Sequence, residues 1–574
     1  MKHVSEYERW LACCDLDERI KAELITIHGD EDEIYSRFYT TLNFGTAGLR
    51  GLMGAGTNRM NIYTVRQASY GMGRYICDLG PAAMKRGVVI AYDSRNNGVK
   101  FAENAALTLC MLGIRVFVFD SLRPTPELSF AIRYLGTIAG INITASHNPK
   151  EYNGYKAYFE DGAQIAGDQA NIIYNYMCDT DPLKVEIMSM SDAVRQGLYN
   201  TIGSDVDNAY IKCVLGEKLD IGDISEEAKD VSIVYSAFHG AGYRLVPEIL
   251  KQIGANVTVQ PEQIIPDGDF PTLRSPNPEE REGLTKAIEL AKEIGSDLVI
   301  ATDPDADRCA SAVVMPDGEV ELITGNQMGV LLCDFIASVL TERGKLPENS
   351  AVISTIVSTL MIKKVCAANN IKYFEVLTGF KYIGELIAGF EKNNDYSFLL
   401  GFEESYGYLK GTYARDKDAV VASMLITQMA MYYKNKGMNL KQAMDSLYKK
   451  YGYFAEKTTS FSIKGAAPME MLAEIMKKLR NNDKSEVAGD KVSSFRDYKS
   501  SLVREMSTGK VSSTNLPVSD VLYYELENGC SVVVRPSGTE PKIKLYVLTS
   551  SDSKEKCNDL ITKYVDYFST LIND

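Results

Sequence analysis

Short apolar runs recur along this chain, and each passes through a polar loop into a stretch of helical spacing. Gly87 to Tyr92 is the clearest, a β-branched run that predicts a buried strand, followed by a helix from about Phe101 to Leu112. Arg115 to Phe119 and Ile138 to Ile143 predict further strands. The pattern returns with Val231 to Tyr235, a helix from Tyr243 to Ile253, and Val257 to Val259. Leu284, Ala287, Ile288, Ala291 and Ile294 keep helical spacing before a strand at Leu298 to Ala301, and Ala351 to Ile356 and Phe398 to Leu400 read as strands too. Strands alternating with helices predict α/β domains on mixed, mainly parallel sheets. The end of the chain changes character. A helix at Met471 to Leu479, strands at Ser531 to Val534 and Ile543 to Leu548, and a closing helix at Lys554 to Leu571 predict a separate α+β domain. Polar stretches at Tyr199 to Asp207 and Lys449 to Lys457 are candidate boundaries.

At 574 residues the chain is too long for one hydrophobic core, and ordinary domain sizes give roughly three to four domains. Its net charge of −14 argues against nucleic acid or an anionic membrane as partner. An anionic substrate would then need a locally cationic pocket. The 11 cysteines are scattered without a C-x-x-C pair, which excludes a zinc framework and fits a reducing compartment. Glu6, Glu8, Arg9, Asp15 and Asp17 deny the N-terminus the apolar core of a secretory signal. The most apolar stretch, Gly329 to Leu340, is short and broken by Asp334, so no membrane span is expected and the protein is expected to be cytoplasmic.

Four loops carry chemistry. Thr144-Ala145-Ser146-His147-Asn148-Pro149 follows a predicted strand, where open α/β sheets bind ligands, and offers Ser146 as nucleophile. Thr144 and Asn148 stand where a G-x-S-x-G elbow needs glycines, so a hydrolase is disfavoured. Asp303-Pro304-Asp305-Ala306-Asp307-Arg308 also follows a strand. In an extended segment its three carboxylates would share one side and would need a cation such as Mg2+ between them. An EF-hand is excluded, because Arg308 and Val314 occupy the positions of its glycine and its last glutamate. Arg535-Pro536-Ser537-Gly538-Thr539-Glu540-Pro541-Lys542 combines amide donors, hydroxyls and cations suited to a phosphate. Gly401 to Tyr408, with Glu403, Glu404 and Ser405, offers carboxylates and a hydroxyl to sugar hydroxyls. Smaller pieces add polar groups: Phe44 to Gly51 with Arg50, Tyr92 to Arg95, Asn153 to Lys156, His239 to Gly242, and Thr378 to Lys381. Each of these alone reads as a turn. Their joint occurrence is the signal.

Together these motifs, in this order from Phe44 to Tyr546, resemble the α-D-phosphohexomutase family. The resemblance implies four domains around a central cleft, three similar α/β domains and a C-terminal α+β phosphate-binding domain. We place them at 1–202, 203–320, 321–448 and 449–574. It implies a phosphoryl group carried on Ser146, and Mg2+ held by Asp303, Asp305, Asp307 and the Ser146 phosphate. Arg50, His147, Lys156, Arg308 and Lys381 would surround the reacting phosphate, with Lys156 or His147 transferring a proton. Glu403 and Ser405 would hold sugar hydroxyls, and Arg535, Ser537, Gly538, Thr539 and Lys542 the non-reacting phosphate. The Glu403-Glu404-Ser405 loop is most like the members that interconvert glucose 1-phosphate and glucose 6-phosphate, with glucose 1,6-bisphosphate as intermediate and activator. Mannose or pentose phosphate mutases, a sugar-bisphosphate synthase, and a non-catalytic binding relative are the alternatives. Ala47 departs from the serine that many members carry. The expected partners are small sugar phosphates, and the expected state is a monomer or homodimer.

Overall fold

The computed structural model describes residues 2–44, 48–463, 468–482, 485–537 and 542–573. The chain forms two compact units, one of residues 1–324, 383–398 and 405–437, the other of 325–382, 399–404 and 438–574.

The first unit holds two mixed sheets. One runs in the order Gly48–Leu52, Tyr152–Phe159, Ala139–Ile143, Val88–Tyr92, Val116–Phe119, Tyr199–Ile202. Its last four strands are mutually parallel, and Tyr152–Phe159 returns antiparallel. The other runs Val320–Ile323, Cys309–Val314, Leu298–Thr302, Ser232–Ser236, Asn256–Val259. Here too the parallel strands Leu298–Thr302, Ser232–Ser236 and Asn256–Val259 are followed across the sheet by an antiparallel return, Cys309–Val314. The apolar runs form these strands because both faces are covered: every residue of Val88–Tyr92, Ala139–Ile143 and Leu298–Thr302 is buried. Helix Arg281–Ile294 buries Leu284, Ala287, Ile288 and Ala291, the stripe its spacing predicts.

The two sheets share a device. A buried parallel strand ends in a polar loop, and the chain turns back antiparallel. Ala139–Ile143 delivers the loop with Ser146, and Leu298–Thr302 the loop with Asp303, Asp305 and Asp307. The residues show no such repeat, because it is one of topology rather than of side chains.

In the second unit Ser350–Thr355 and Lys372–Val376 pair in parallel. The C-terminal sheet is antiparallel, in the order Tyr453–Ser462, Lys542–Ser551, Ser531–Pro536, Leu522–Leu526, Asp490–Asp497, Leu502–Glu505, Val511–Ser513. Helices Pro468–Asn481 and Lys554–Asn573 send Leu472, Met476, Tyr564 and Phe568 into a core with Val532, Val534 and Leu545. The polar stretches at 199–207 and 449–457 are ordered elements. Tyr199–Ile202 and Tyr453–Ser462 are edge strands, and an edge exposes one side of the strand to water. No helix among the described residues is long and apolar enough to cross a membrane.

Candidate functional site

The first unit brings Ser146 and the acidic loop together. Ser146 is buried and takes φ +53°, a left-handed conformation rare for a residue with a Cβ. Its Oγ donates to Asp303 Oδ2 at 2.8 Å and lies 3.1 Å from His147 Nδ1. The loop is held in this shape from beneath. Ser146 N donates to Thr144 Oγ1 (2.8 Å), and Thr144 Oγ1 donates to Asp93 Oδ2 (2.6 Å). Arg95 donates to four carbonyls of the same loop: Ser146, Asn148, Pro149 and Tyr152. Burial pushes the Asp93 carboxyl up to about 6 against the pull of Arg95. Arg50, paired in register with Gly154, reaches Asn148 Oδ1 at 3.1 Å.

The three aspartates converge as the sequence predicts, but for another reason. The loop is a turn rather than an extended segment, with Ala306 at φ +50° and Asp303 Oδ1 accepting from the amides of Asp307 and Arg308. One carboxylate oxygen from each of Asp303, Asp305 and Asp307 lies within 4.8 Å of the others, and all three residues are buried. Lys156 Nζ donates to Asp305 Oδ2 (2.6 Å) and Asp307 Oδ2 (3.0 Å), and Lys417 Nζ sits 3.1 Å from Asp307 Oδ2. Thr125 Oγ1 donates to Asp305 Oδ2 at 2.7 Å. Burial, reinforced by Asp305 and Asp307, raises the Asp303 carboxyl well above the ordinary range. Burial also opposes charge on Asp307, yet Lys156, Lys417 and Arg308 hold it well below that range. Asp305 Oδ1 and Asp307 Oδ1 are buried without a hydrogen-bond partner among the described residues. Converging hard oxygens with unused lone pairs fit a divalent cation.

Two neighbours differ in protonation. Burial opposes the Lys156 ammonium, but Asp305 and Asp307 outweigh it and raise its pKa, so the group stays protonated. Burial, then Arg308 and Arg50, depress His147 well below its ordinary value, so a neutral ring faces Ser146 Oγ. Arg308 Nη1 donates to Glu279 at 2.6 Å.

Most of the remaining predicted residues lie in the second unit. Glu403 ends the strand Ser397–Glu403, and its Oε1 accepts from Gly379 N at 2.8 Å, which brings the Lys381 and Glu403 loops together. Lys381 lies over the Tyr382 ring. Thr355 Oγ1 donates to Glu404. Ser405 falls in the first unit. Arg535 and Lys542 belong to paired strands, Arg535 facing Lys544 in register, and Ser537 N donates to Lys542 O at 2.8 Å, closing a hairpin. Gly538 and Thr539 lie outside the described residues. Sequence reasoning missed Lys417 and Thr125 and saw only a turn in Asp93 and Arg95. Of these only Asp93 and Arg95 carried a signal, as polar residues directly after a buried strand.

The sequence matches the phosphoglucomutase/phosphomannomutase family throughout: alpha/beta/alpha domain I over residues 41–183, domain II over 208–315, domain III over 324–451, and the C-terminal domain over 473–559. A phosphoglucomutase of Staphylococcus epidermidis (strain ATCC 12228) is 36% identical over 552 residues, covering 95% of this chain and 98% of the relative. The open form of parafusin, an exocytosis-sensitive phosphoprotein and phosphoglucomutase of Paramecium, superposes with a TM-score of 0.66 at 18% identity, covering 93% of this chain and 95% of that one. The N-acetylphosphoglucosamine mutase of Aspergillus fumigatus in complex with GlcNAc-6P and magnesium follows at a TM-score of 0.50 and 12% identity, covering 93% and 96%. The fold, the loops at its strand ends and the match over 95% of the chain agree, and the protein belongs to the phosphoglucomutase/phosphomannomutase family.

Proposed function

We infer that this protein is a phosphoglucomutase, an isomerase-class phosphotransferase that interconverts glucose 1-phosphate and glucose 6-phosphate. The observation that carries the reading is the buried Ser146 hydroxyl, 2.8 Å from Asp303 in a cluster of three carboxylates and two lysines. The 36% identity to a phosphoglucomutase over nearly the full chain supports glucose as the sugar.

In the proposed cycle the P–Oγ bond of phospho-Ser146 breaks as a sugar hydroxyl oxygen bonds to phosphorus, giving glucose 1,6-bisphosphate. The hydroxyl proton ends on Ser146 Oγ, with His147 Nδ1, 3.1 Å away, placed to relay it. The bisphosphate then presents its other phosphate, and the same exchange runs in reverse. Phosphoryl transfer needs positioning and charge compensation more than covalent chemistry. Lys156, held protonated, supplies a fixed positive charge, and Arg50 and Arg308 are assigned to the phosphoryl oxygens. Mg2+ on Asp303, Asp305, Asp307 and the Ser146 phosphate would neutralise the charge of the transferring group. Glu403 and Ser405 are assigned to the sugar hydroxyls, Lys381 to the reacting phosphate, and Arg535, Ser537, Gly538, Thr539 and Lys542 to the other phosphate. Glucose 1,6-bisphosphate is the proposed activator, since it restores phospho-Ser146. In this reading domains 1–202, 203–320, 321–448 and 449–574 contribute the phosphoserine, metal, sugar and phosphate loops in turn.

Initial rates on glucose 1-phosphate, mannose 1-phosphate and ribose 1-phosphate under identical conditions test this. Glucose 1-phosphate is expected to turn over fastest. A preference for ribose 1-phosphate would replace the sugar, and no turnover of any would remove the activity.

A further inference from the structure

One motif has no part in the chemistry above. His239-Gly240-Ala241-Gly242 follows the buried strand Ser232–Ser236, and Phe238 and His239 both take left-handed backbones, at φ +46° and +61°. Two adjacent residues with a Cβ in that region persist only where surrounding contacts impose them.

The backbone of the turn packs on the acidic loop. Ala241 N donates to Pro304 O at 2.7 Å, and a Cβ at Gly240 would lie 2.3 Å from Pro304 Cα. Only glycine permits that approach. The His239 ring is buried. Its Nδ1 lies 2.9 Å from Ile265 O and its Nε2 2.9 Å from Thr272 Oγ1. A carbonyl only accepts, so Nδ1 carries the proton and the ring pins both ends of the 265–272 segment.

That segment lies on the residues that hold the Ser146 loop. A Cβ at Gly268 would stand 2.4 Å from Asn96 N and 2.9 Å from Arg95 C. Asn96 Nδ2 donates to Asp269 Oδ1 at 3.1 Å, and the Phe270 ring packs 5.1 Å from the Arg95 guanidinium. Arg95 in turn holds four carbonyls of the Ser146 loop, and Ser275 Oγ donates to His147 O.

We propose that His239 is a positioning residue: it locks the 265–272 segment against Arg95 while its own turn seats the acidic loop, and so keeps Ser146 in register with Asp303. This rests on the phosphoserine role of Ser146 proposed above. His239→Asn keeps one donor where Nδ1 stood, and Thr272→Val removes the His239 Nε2 contact, together with the Gln263 Nε2 bond to the same hydroxyl, with little change in volume. Thr272→Val serves as the test even where a His239 variant folds poorly. In both, kcat is expected to fall about tenfold or more, toward the roughly hundredfold that a ~1 Å misplacement can cost, with KM for glucose 1-phosphate unchanged. Hydrogen exchange of residues 144–152, measured without substrate, should quicken in step, with His239→Asn milder than His239→Ala. Wild-type kcat and unchanged protection of 144–152, with only a lowered Tm, would overturn the proposal. An inactive wild-type protein would instead overturn the functional reading, and the exchange data would still decide this one.

Discussion

Ser146 sits in a backbone conformation it would not choose alone, and apart from its neighbour Thr144 the groups that hold it come from distant stretches of sequence. Asp93, Thr144 and Arg95 shape the loop, while Lys156, Lys417 and Thr125 load the carboxylates it faces. Ser146 and the three aspartates were legible because each motif is local, a run of fitting residues just after an apolar strand. Lys417 was not, since nothing near it in sequence points to Asp307. The spacing predicts that the three aspartates share one side, and they converge, but through a turn at Ala306 rather than along an extended segment. Lys156 allows a test of this electrostatic arrangement. Lys156→Met leaves buried Asp305 without an ammonium group and Asp307 with Lys417 alone, and breaking such a buried pair costs about 3–5 kcal/mol. Denaturant melts should show that loss, and added Mg2+ should restore part of it by replacing the missing charge. Equal stability with and without the lysine would mean that the carboxylates do not carry the charge assigned to them.

Helix Thr125–Leu135 joins the site to a buried ionic network. Thr125 at its start bonds Asp305, and Glu127 is fully buried, with neither oxygen hydrogen-bonded among the described residues. Arg123 Nε stands 3.8 Å away but is taken up by Asp207 at 2.7 Å. Burial pushes Glu127 up to about 8, with Arg123 and Arg244 pulling down and Asp418 and Asp120 pushing up. The folded protein therefore keeps a proton that the unfolded chain has released above its ordinary value of 4.5. The sign follows: this contribution to stability is complete below about pH 4.5 and is lost as pH rises toward about 8. Glu127→Gln stays neutral throughout, so its stability should change less over that window and exceed the wild type at pH 8. Parallel pH–stability curves for the two proteins would refute the buried acid. Elements were legible in proportion to burial. The all-buried strands are legible as apolar runs, whereas the edge strands Tyr199–Ile202 and Tyr453–Ser462 fall in stretches that read only as polar candidate boundaries, because few of their residues are buried.

Over the whole molecule, a strand–loop–antiparallel-return device recurs with different cargo in the two sheets of the first unit, and Arg535 and Lys542 lie on paired antiparallel strands of the second. This repetition was hidden in sequence because topology constrains only which strands are buried, not which residues fill the loops. Arg535 tests the assignment of the hairpin. An arginine–phosphate contact is worth on the order of 1.5–3 kcal/mol, so Arg535→Ala should lower kcat/KM for glucose 1-phosphate by about 10–100-fold. Its Ser146 should still accept phosphate from high concentrations of glucose 1,6-bisphosphate. Unchanged kinetics would remove the hairpin from the site. Intact-mass spectrometry after incubation with glucose 1,6-bisphosphate reads the covalent phosphoserine directly. One added phosphate is expected on the wild-type protein, none on a folded Ser146→Ala variant, with loss of mutase turnover in that variant. Near-wild-type turnover by folded Ser146→Ala would contradict it.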